Sequence, residues 1–242
     1  MRALLLIGIT TLAGACRSAW PDLPRMPMPP EIEARVFQLV DTQRREVPVF
    51  VNEGLAGFDG LTHSRNDVPQ FVEVRPAAED ELRFTLAHEC VHFFLGEGWG
   101  ALPYVVEDGL CDRVAADLSP EAARRKLELY SEWLAAAFEL APEPLSADWA
   151  QWGRRELHDS PPEHGVAAYA LGYRIAHEVA PERLHALSTR AQDEGLDRVP
   201  EEWLLDELPH AGDPELSARE RALRLLRDWD ATREAFDALR LR

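Results

Sequence analysis

The hydrophobic positions change from short apolar runs near the start of the chain to helical periodicity over the rest. Residues 47–51 and 70–74 are rich in β-branched and aromatic residues and are bounded by Pro, Gly, Asn and Asp, which predicts two strands. Residues 31–45 carry apolar residues at helical spacing and predict an opening helix. We interpret residues 52–69 as a loop that connects the strands.

From residue 78 onward the pattern is mostly helical, and Gly and Pro separate the segments. A small N-terminal sheet followed by a mainly helical body predicts an α+β fold. The predicted helices cover residues 79–95, 103–117, 120–141, 146–158, 163–190, 200–208 and 214–240.

The first residues of the chain predict that the protein is exported. Arg2 precedes an apolar stretch that is too short for an ordinary transmembrane helix, so residues 1–15 are predicted to be a signal peptide. The small residues before Cys16 resemble a bacterial lipoprotein signal, in which the cysteine becomes the lipidated first residue. Leu12 stands four residues before the cysteine rather than the usual three. The alternative is an ordinary secretory signal, and cell fractionation separates the two, since only a lipidated Cys16 anchors the protein.

Residues 16–30 are predicted to be a tether, because five prolines between residues 18 and 30 exclude a helix or a central strand. Residues 31–242 then form the folded domain. Together with Cys16, these features predict a protein of the bacterial cell envelope, held on the periplasmic side of a membrane by its lipid.

The net charge of −17 argues against a nucleic-acid partner, because neutralising phosphates needs clustered Lys and Arg. The basic residues are 25 arginines and one lysine, Lys126. We attribute this ratio to a GC-rich genome and infer no function from it.

Residues 88–92 read His-Glu-Cys-Val-His within a helical pattern. His88 and His92 lie one turn apart, so both project from one face and can share one Zn²⁺. Glu89 lies about 100° further round the helix, where it can accept a proton from a water molecule at the metal. The alternative is a chance match on an acidic protein without a metal.

A third ligand is expected downstream, where residues 104–115 read Tyr-Val-Val-Glu-Asp-Gly-Leu-Cys-Asp-Arg-Val-Ala. This segment resembles the second helix of the gluzincin metallopeptidases of the peptidase-MA type, Trp-Leu-x-Glu-Gly-Leu-Ala-x-Tyr, in which the Glu before the Gly binds zinc. Matching that glycine to Gly109 places Asp108 in the ligand position. Three features depart from the family: Asp replaces Glu, Cys111 replaces the small Ala, and the loop after His92 is shorter.

Glu107 is the alternative third ligand, and either acid could instead be a helix N-terminal acid stabilised by the helix dipole. If Asp108 is the ligand, Asp112 one turn further on could orient a metal-binding histidine. Cys90 and Cys111 are either two buried small residues or a disulfide that joins the two helices.

Residues 164–177 resemble the family's Tyr-x-x-Gly helix, with Tyr169 and Gly172 in the matching positions. The resemblance implies that Tyr169 donates a hydrogen bond to the oxyanion of the intermediate. Tyr169 could instead be a core aromatic residue, and His164 and Tyr173 are lesser candidates for this role. The resemblance also implies that the strand at residues 70–74 pairs with an extended substrate. The aminopeptidase signature Gly-x-Met-Glu-Asn is absent from the sequence.

The resemblance therefore implies a zinc-dependent hydrolase with one Zn²⁺ per chain and a peptide or protein substrate. His88, His92 and Asp108 or Glu107 would bind the metal, and Glu89 and Tyr169 would be catalytic. The alternative is a non-catalytic envelope lipoprotein that retains a degenerate zinc site as a structural or binding module.

Overall fold

A computed structural model of the chain describes residues 21–40, 46–55, 59–65, 68–208 and 215–229. The predicted signal peptide and Cys16 lie outside the described residues. The sheet has four strands in the order β1-β2-β4-β3, with β2 and β4 parallel and the other two pairs antiparallel. The strands are β1 (Arg25–Met26), β2 (Val49–Val51), β3 (Gly60–Arg65) and β4 (Val68–Val74).

The α+β prediction is confirmed, because this small sheet precedes a mainly helical body. The helices are α1 (Pro30–Val40), α2 (Glu79–Phe94), α3 (Tyr104–Leu118), α4 (Pro120–Leu140), α5 (Arg154–Asp159), α6 (Pro162–Glu178), α7 (Pro181–Asp193), α8 (Glu201–Asp206) and α9 (Ala218–Arg227), with short 3₁₀ turns at Glu97–Trp99 and Trp149–Gln151. Within the part of the chain that the structure describes, every helix is too short or too polar to cross a bilayer.

Two strands lie where the sequence predicts none. β3 falls inside the predicted loop and has the sequence Gly-Leu-Thr-His-Ser-Arg. The sequence does not predict this strand, because its mixed composition does not favour one. β1 falls inside the predicted tether, where Arg25 and Met26 pair with Phe50 and Val49. Met28 is buried as well, so the described end of the proline-rich segment packs against the domain.

The long helix predicted over residues 163–190 is two helices. Ala180 is extended, with φ −60° and ψ 140°, and Pro181 begins α7. Proline lacks the N–H that a continuous helix would need and disfavours helical backbone in the residue before it, so the break occurs at this point.

Helix α2 lies between the sheet and the other helices, and its apolar side forms much of the core. Val72 and Val74 of β4 and Ile32 and Val36 of α1 are fully buried, and both elements pack against α2. The first turn of α2 carries Glu79, Asp80 and Glu81, which the helix dipole stabilises at that end.

Helix α3 packs closely on α6 through two glycines. A methyl group built on Gly109 would lie 2.5 Å from the carbonyl oxygen of Gly172, and one built on Gly172 would overlap the carbonyl of Val105. Real Cβ atoms do not approach so closely, so either side chain would push the helices apart. The glycine contact therefore sets the distance between α3 and α6, and Asp108 is the neighbour of Gly109 along α3.

We expect Gly172→Ala to destabilise the protein by about 1–3 kcal/mol, because the methyl group overpacks this contact. Gly165→Ala, on the same helix, is the matched control, since its methyl group would have no neighbour closer than 3.4 Å. Alanine there should stabilise α6 by up to about 1 kcal/mol. Urea unfolding of the two variants measures both changes, and equal stability would refute the close contact.

Candidate metal centre

His88 and His92 lie one turn apart on α2 and face the same space, as their spacing predicts. Their side chains are each 13 % exposed, and their ring centroids are 5.0 Å apart. The described residues that could hold a metal ion as a group are His88, His92 and Cys111, whose donor atoms all lie within 4.8 Å of one another.

Asp108 faces both histidines from the first turns of α3. Its Oδ1 lies 3.4 Å from Nε2 of His88 and 3.6 Å from Nε2 of His92. One carboxylate oxygen is thus nearly equidistant from the two ring nitrogens.

The other nitrogen of each ring meets a different acid of α3. Nδ1 of His88 lies 2.8 Å from Oδ1 of Asp112, and Nδ1 of His92 lies 2.8 Å from Oε1 of Glu107. When Nδ1–H donates to a carboxylate, Nε2 keeps its lone pair for a metal ion. The structure places Asp108 beside the two Nε2 atoms and places Glu107, the alternative ligand, on the opposite side of the His92 ring.

Cys111 is a donor that we did not predict as a ligand. It follows Glu107 by one turn of α3, so it faces α2 with the acids, and it is fully buried. Burial is the main cause that raises the pKa of its thiol, to about 12. Cys90 is also buried, and both cysteines are free thiols rather than a disulfide.

The acids also change the proton affinity of the histidines. Burial lowers the pKa of His88, but the carboxylates of Asp108 and Asp112 outweigh it and raise the pKa to about 9. The pKa of Asp108 lies well below its usual range, because the attraction of His88 and hydrogen bonds from both histidines outweigh burial. The cluster therefore favours positive charge at the point between the rings, and a bound metal ion would replace protons there.

Glu89 is held beside this cluster by strand β3. The hydroxyl of Thr62 lies 2.8 Å from Oε2 of Glu89, and Gly60 packs so closely that a methyl group there would lie 2.7 Å from Cγ of Glu89. Glu89 is only 8 % exposed, yet it lines the same cavity as the histidines. This hydrogen bond engages one of the two carboxylate oxygens of Glu89, and the same hydroxyl lies 3.0 Å from the backbone carbonyl oxygen of Glu89.

A cavity of about 930 Å³ opens onto the cluster. Tyr169 lines it, whereas Tyr173 is buried and stacks on His177. Burial and then Asp108 raise the pKa of Tyr169, so its phenol remains a hydrogen-bond donor. Tyr104, a residue that we did not predict, lines the cavity as well, and its ring is parallel to that of His92.

Part of the cavity lining is apolar. Leu129 and Trp133, one turn apart on α4, are 39 % and 46 % exposed and line the cavity. An exposed tryptophan beside a polar cluster gives an apolar side chain of a ligand a surface to cover.

The prediction that the strand at residues 70–74 pairs with a substrate is wrong. β4 lies between β2 and β3, and residues 72–74 are paired on both edges, so most of the strand predicted over residues 70–74 has no free edge. Among the described residues, β3 pairs only with β4, and Gly60, Thr62 and Ser64 of β3 line the cavity. The available edge beside Glu89 therefore belongs to β3.

Comparisons of the chain with protein-family models, with curated proteins and with solved structures found no match.

We expect Asp108→Asn to weaken metal binding by more than about 100-fold, because it replaces the carboxylate that faces both Nε2 atoms with a neutral amide, which is a much poorer zinc ligand. Glu107→Gln should cost about 10-fold, since it alters only the orientation of His92. Cys111→Ser should bind within about 10-fold of the wild type. Competition with a chromophoric chelator, with Zn²⁺ and with Co²⁺, measures all three affinities. A larger loss from Glu107→Gln than from Asp108→Asn would overturn the ligand assignment.

Proposed function

We propose that this protein is a zinc-dependent hydrolase that cleaves peptide bonds. One Zn²⁺ per chain is held by His88, His92 and Asp108. Glu89 is the general base, and Tyr169 donates to the oxyanion.

The position of Asp108 carries this proposal. Zinc binds imidazole nitrogen and carboxylate oxygen at about 2.0–2.2 Å, so tetrahedral ligands lie about 3.3–3.6 Å from one another. The separations of 3.4 Å and 3.6 Å between Asp108 and the two Nε2 atoms fit this spacing. The two Nδ1 atoms have carboxylate partners, which is the usual arrangement around zinc-binding histidines.

Three protein ligands would leave one tetrahedral position open, as catalytic zinc sites require. Zn²⁺ bound at the site would lower the pKa of a water molecule there and polarise the carbonyl of a substrate. Glu89 lines the same cavity as His88, His92 and Asp108. Its Oε1 accepts the proton of the attacking water, and the same carboxyl then donates the proton to the departing amine.

The remaining residues act on the position and charge of the reacting groups. The hydroxyl of Thr62 holds Oε2 of Glu89, so the base presents one oxygen in a fixed direction. The phenol of Tyr169 donates a hydrogen bond to the carbonyl oxygen as that oxygen gains charge. The open edge of β3 supports an extended peptide as the substrate, because that edge can pair with a peptide backbone.

A second function is favoured by Cys111. If its thiol joins His88, His92 and Asp108 as a fourth ligand, the coordination is closed, and closed zinc sites are structural. The protein would then be a zinc-stabilised binding module of the envelope. Glu89 and Thr62 favour the enzyme, because a structural site needs neither a base nor a residue that orients it.

Glu89→Gln tests the proposed enzyme. The change keeps the volume of the side chain and removes its capacity to take a proton. The variant should fold and keep its zinc while it loses about 10²–10⁴-fold in turnover, the contribution of general-base catalysis. Cleavage of an unbiased peptide library, followed by mass spectrometry, measures the loss.

The matched control is Glu79→Gln, an exposed acid on the same helix, and it should retain the turnover of the wild type. If the wild type and Glu89→Gln both bind zinc and neither cleaves any peptide of the library, the binding module becomes the better account.

A further inference from the structure

We propose that Lys126 is a positioning residue of the metal centre, whose ammonium holds Asp112 and, through Asp112, the ring of His88. This inference rests on the proposed zinc site. It gives a function to the one lysine of the chain.

The contact joins α4 to α3. Nζ of Lys126 lies 2.7 Å from Oδ1 of Asp112, the same oxygen that lies 2.8 Å from Nδ1 of His88. One carboxylate oxygen therefore accepts hydrogen bonds from the ammonium and from the imidazole. Any movement of Lys126 shifts the acceptor that fixes the orientation of the His88 ring.

Asp112 needs a cation because its side chain is completely buried. A buried carboxylate loses its hydration, and only paired charges and hydrogen bonds offset that loss. When His88 binds a metal ion its imidazole is neutral, so it then supplies one hydrogen bond to Asp112 but no charge. Lys126 supplies the charge, and the attraction of Asp112 and Asp108 raises the pKa of its ammonium despite burial.

The surroundings of Lys126 suit an ammonium in one position. Nζ lies 5.5 Å from the ring centroid of Phe84 and 5.8 Å from that of Tyr130, so aromatic rings flank the cation. The side chain is 30 % exposed and lines the cavity. An ammonium is a compact point charge, whereas a planar guanidinium requires a wider space. A chain with 25 arginines thus has its one lysine beside the metal centre.

Lys126→Met tests the inference through zinc affinity, a measurement that does not depend on activity. Methionine fills the space between the rings but removes the charge. Loss of a partner that orients a zinc ligand typically costs 10–100-fold in zinc affinity. We expect a loss in that range for Lys126→Met, measured on the intact chain by competition with a chelator. Arg124→Met is the matched control: it makes the same charge change on α4, at an exposed site that pairs with Glu121 and Glu128. It should bind zinc as the wild type does.

Chemical rescue separates positioning from packing. Lys126→Cys should show the same loss, and treatment with bromoethylamine, in which the thiolate displaces bromide, restores an ammonium of nearly the same reach. The treated variant should recover affinity to within about threefold of the wild type. Wild type treated in the same way is the control, and its buried Cys90 and Cys111 should resist the reagent.

Three results would overturn the inference: unchanged affinity in Lys126→Met, no recovery after aminoethylation, or an equal loss in Arg124→Met. If Lys126→Met does not fold, Lys126→Gln takes its place, because the amide keeps a donor for Asp112 and removes only the charge. Wild-type protein that binds no zinc refutes the proposed function and this inference together, whereas normal zinc binding by the lysine variants refutes the inference alone.

Discussion

Two histidines one turn apart on α2 face two carboxylates one turn apart on α3, and this pairing is the interaction on which the centre depends. Asp108 lies beside both Nε2 atoms, and Asp112 fixes His88 through Nδ1. Because both helices repeat every 3.6 residues, the two i,i+4 pairs stay aligned over one turn. These contacts form only while α3 keeps its distance and rotation relative to α2. The packing of α3 against α4 and α6 therefore matters as much as the ligands.

That packing depends on Gly109 and Gly172. The absence of side chains at these positions lets α3 and α6 approach until backbone meets backbone. α6 also carries Tyr169 to the cavity, so one close contact positions an acid and a phenol together. On the other side of α3, Lys126 of α4 reaches the buried Asp112. The centre is thus built from side chains of α2 and α3, and contacts with α4, α6 and β3 fix their positions.

The sequence predicts the parts of this centre that follow from spacing within one element. The helical pattern and the i,i+4 histidines predict α2 almost to its ends, and the i,i+4 acids predict that Asp112 can orient a histidine. The resemblance adds Gly109 and Gly172, although it does not reveal that they meet. Thr62, Tyr104 and Lys126 could not be predicted, because their role depends on which elements pack beside α2. β3 was missed for the same reason, since its strand is stabilised by pairing with β4 rather than by its own residues.

The most direct test of a zinc centre is the metal content of the purified protein at equilibrium with Zn²⁺. Elemental analysis after dialysis should find about one zinc per chain in the wild type. It should find none in the variant that carries both His88→Ala and His92→Ala, provided that circular dichroism shows that the variant is folded. Clean, folded wild-type protein that stays free of metal when supplied with zinc would contradict the account.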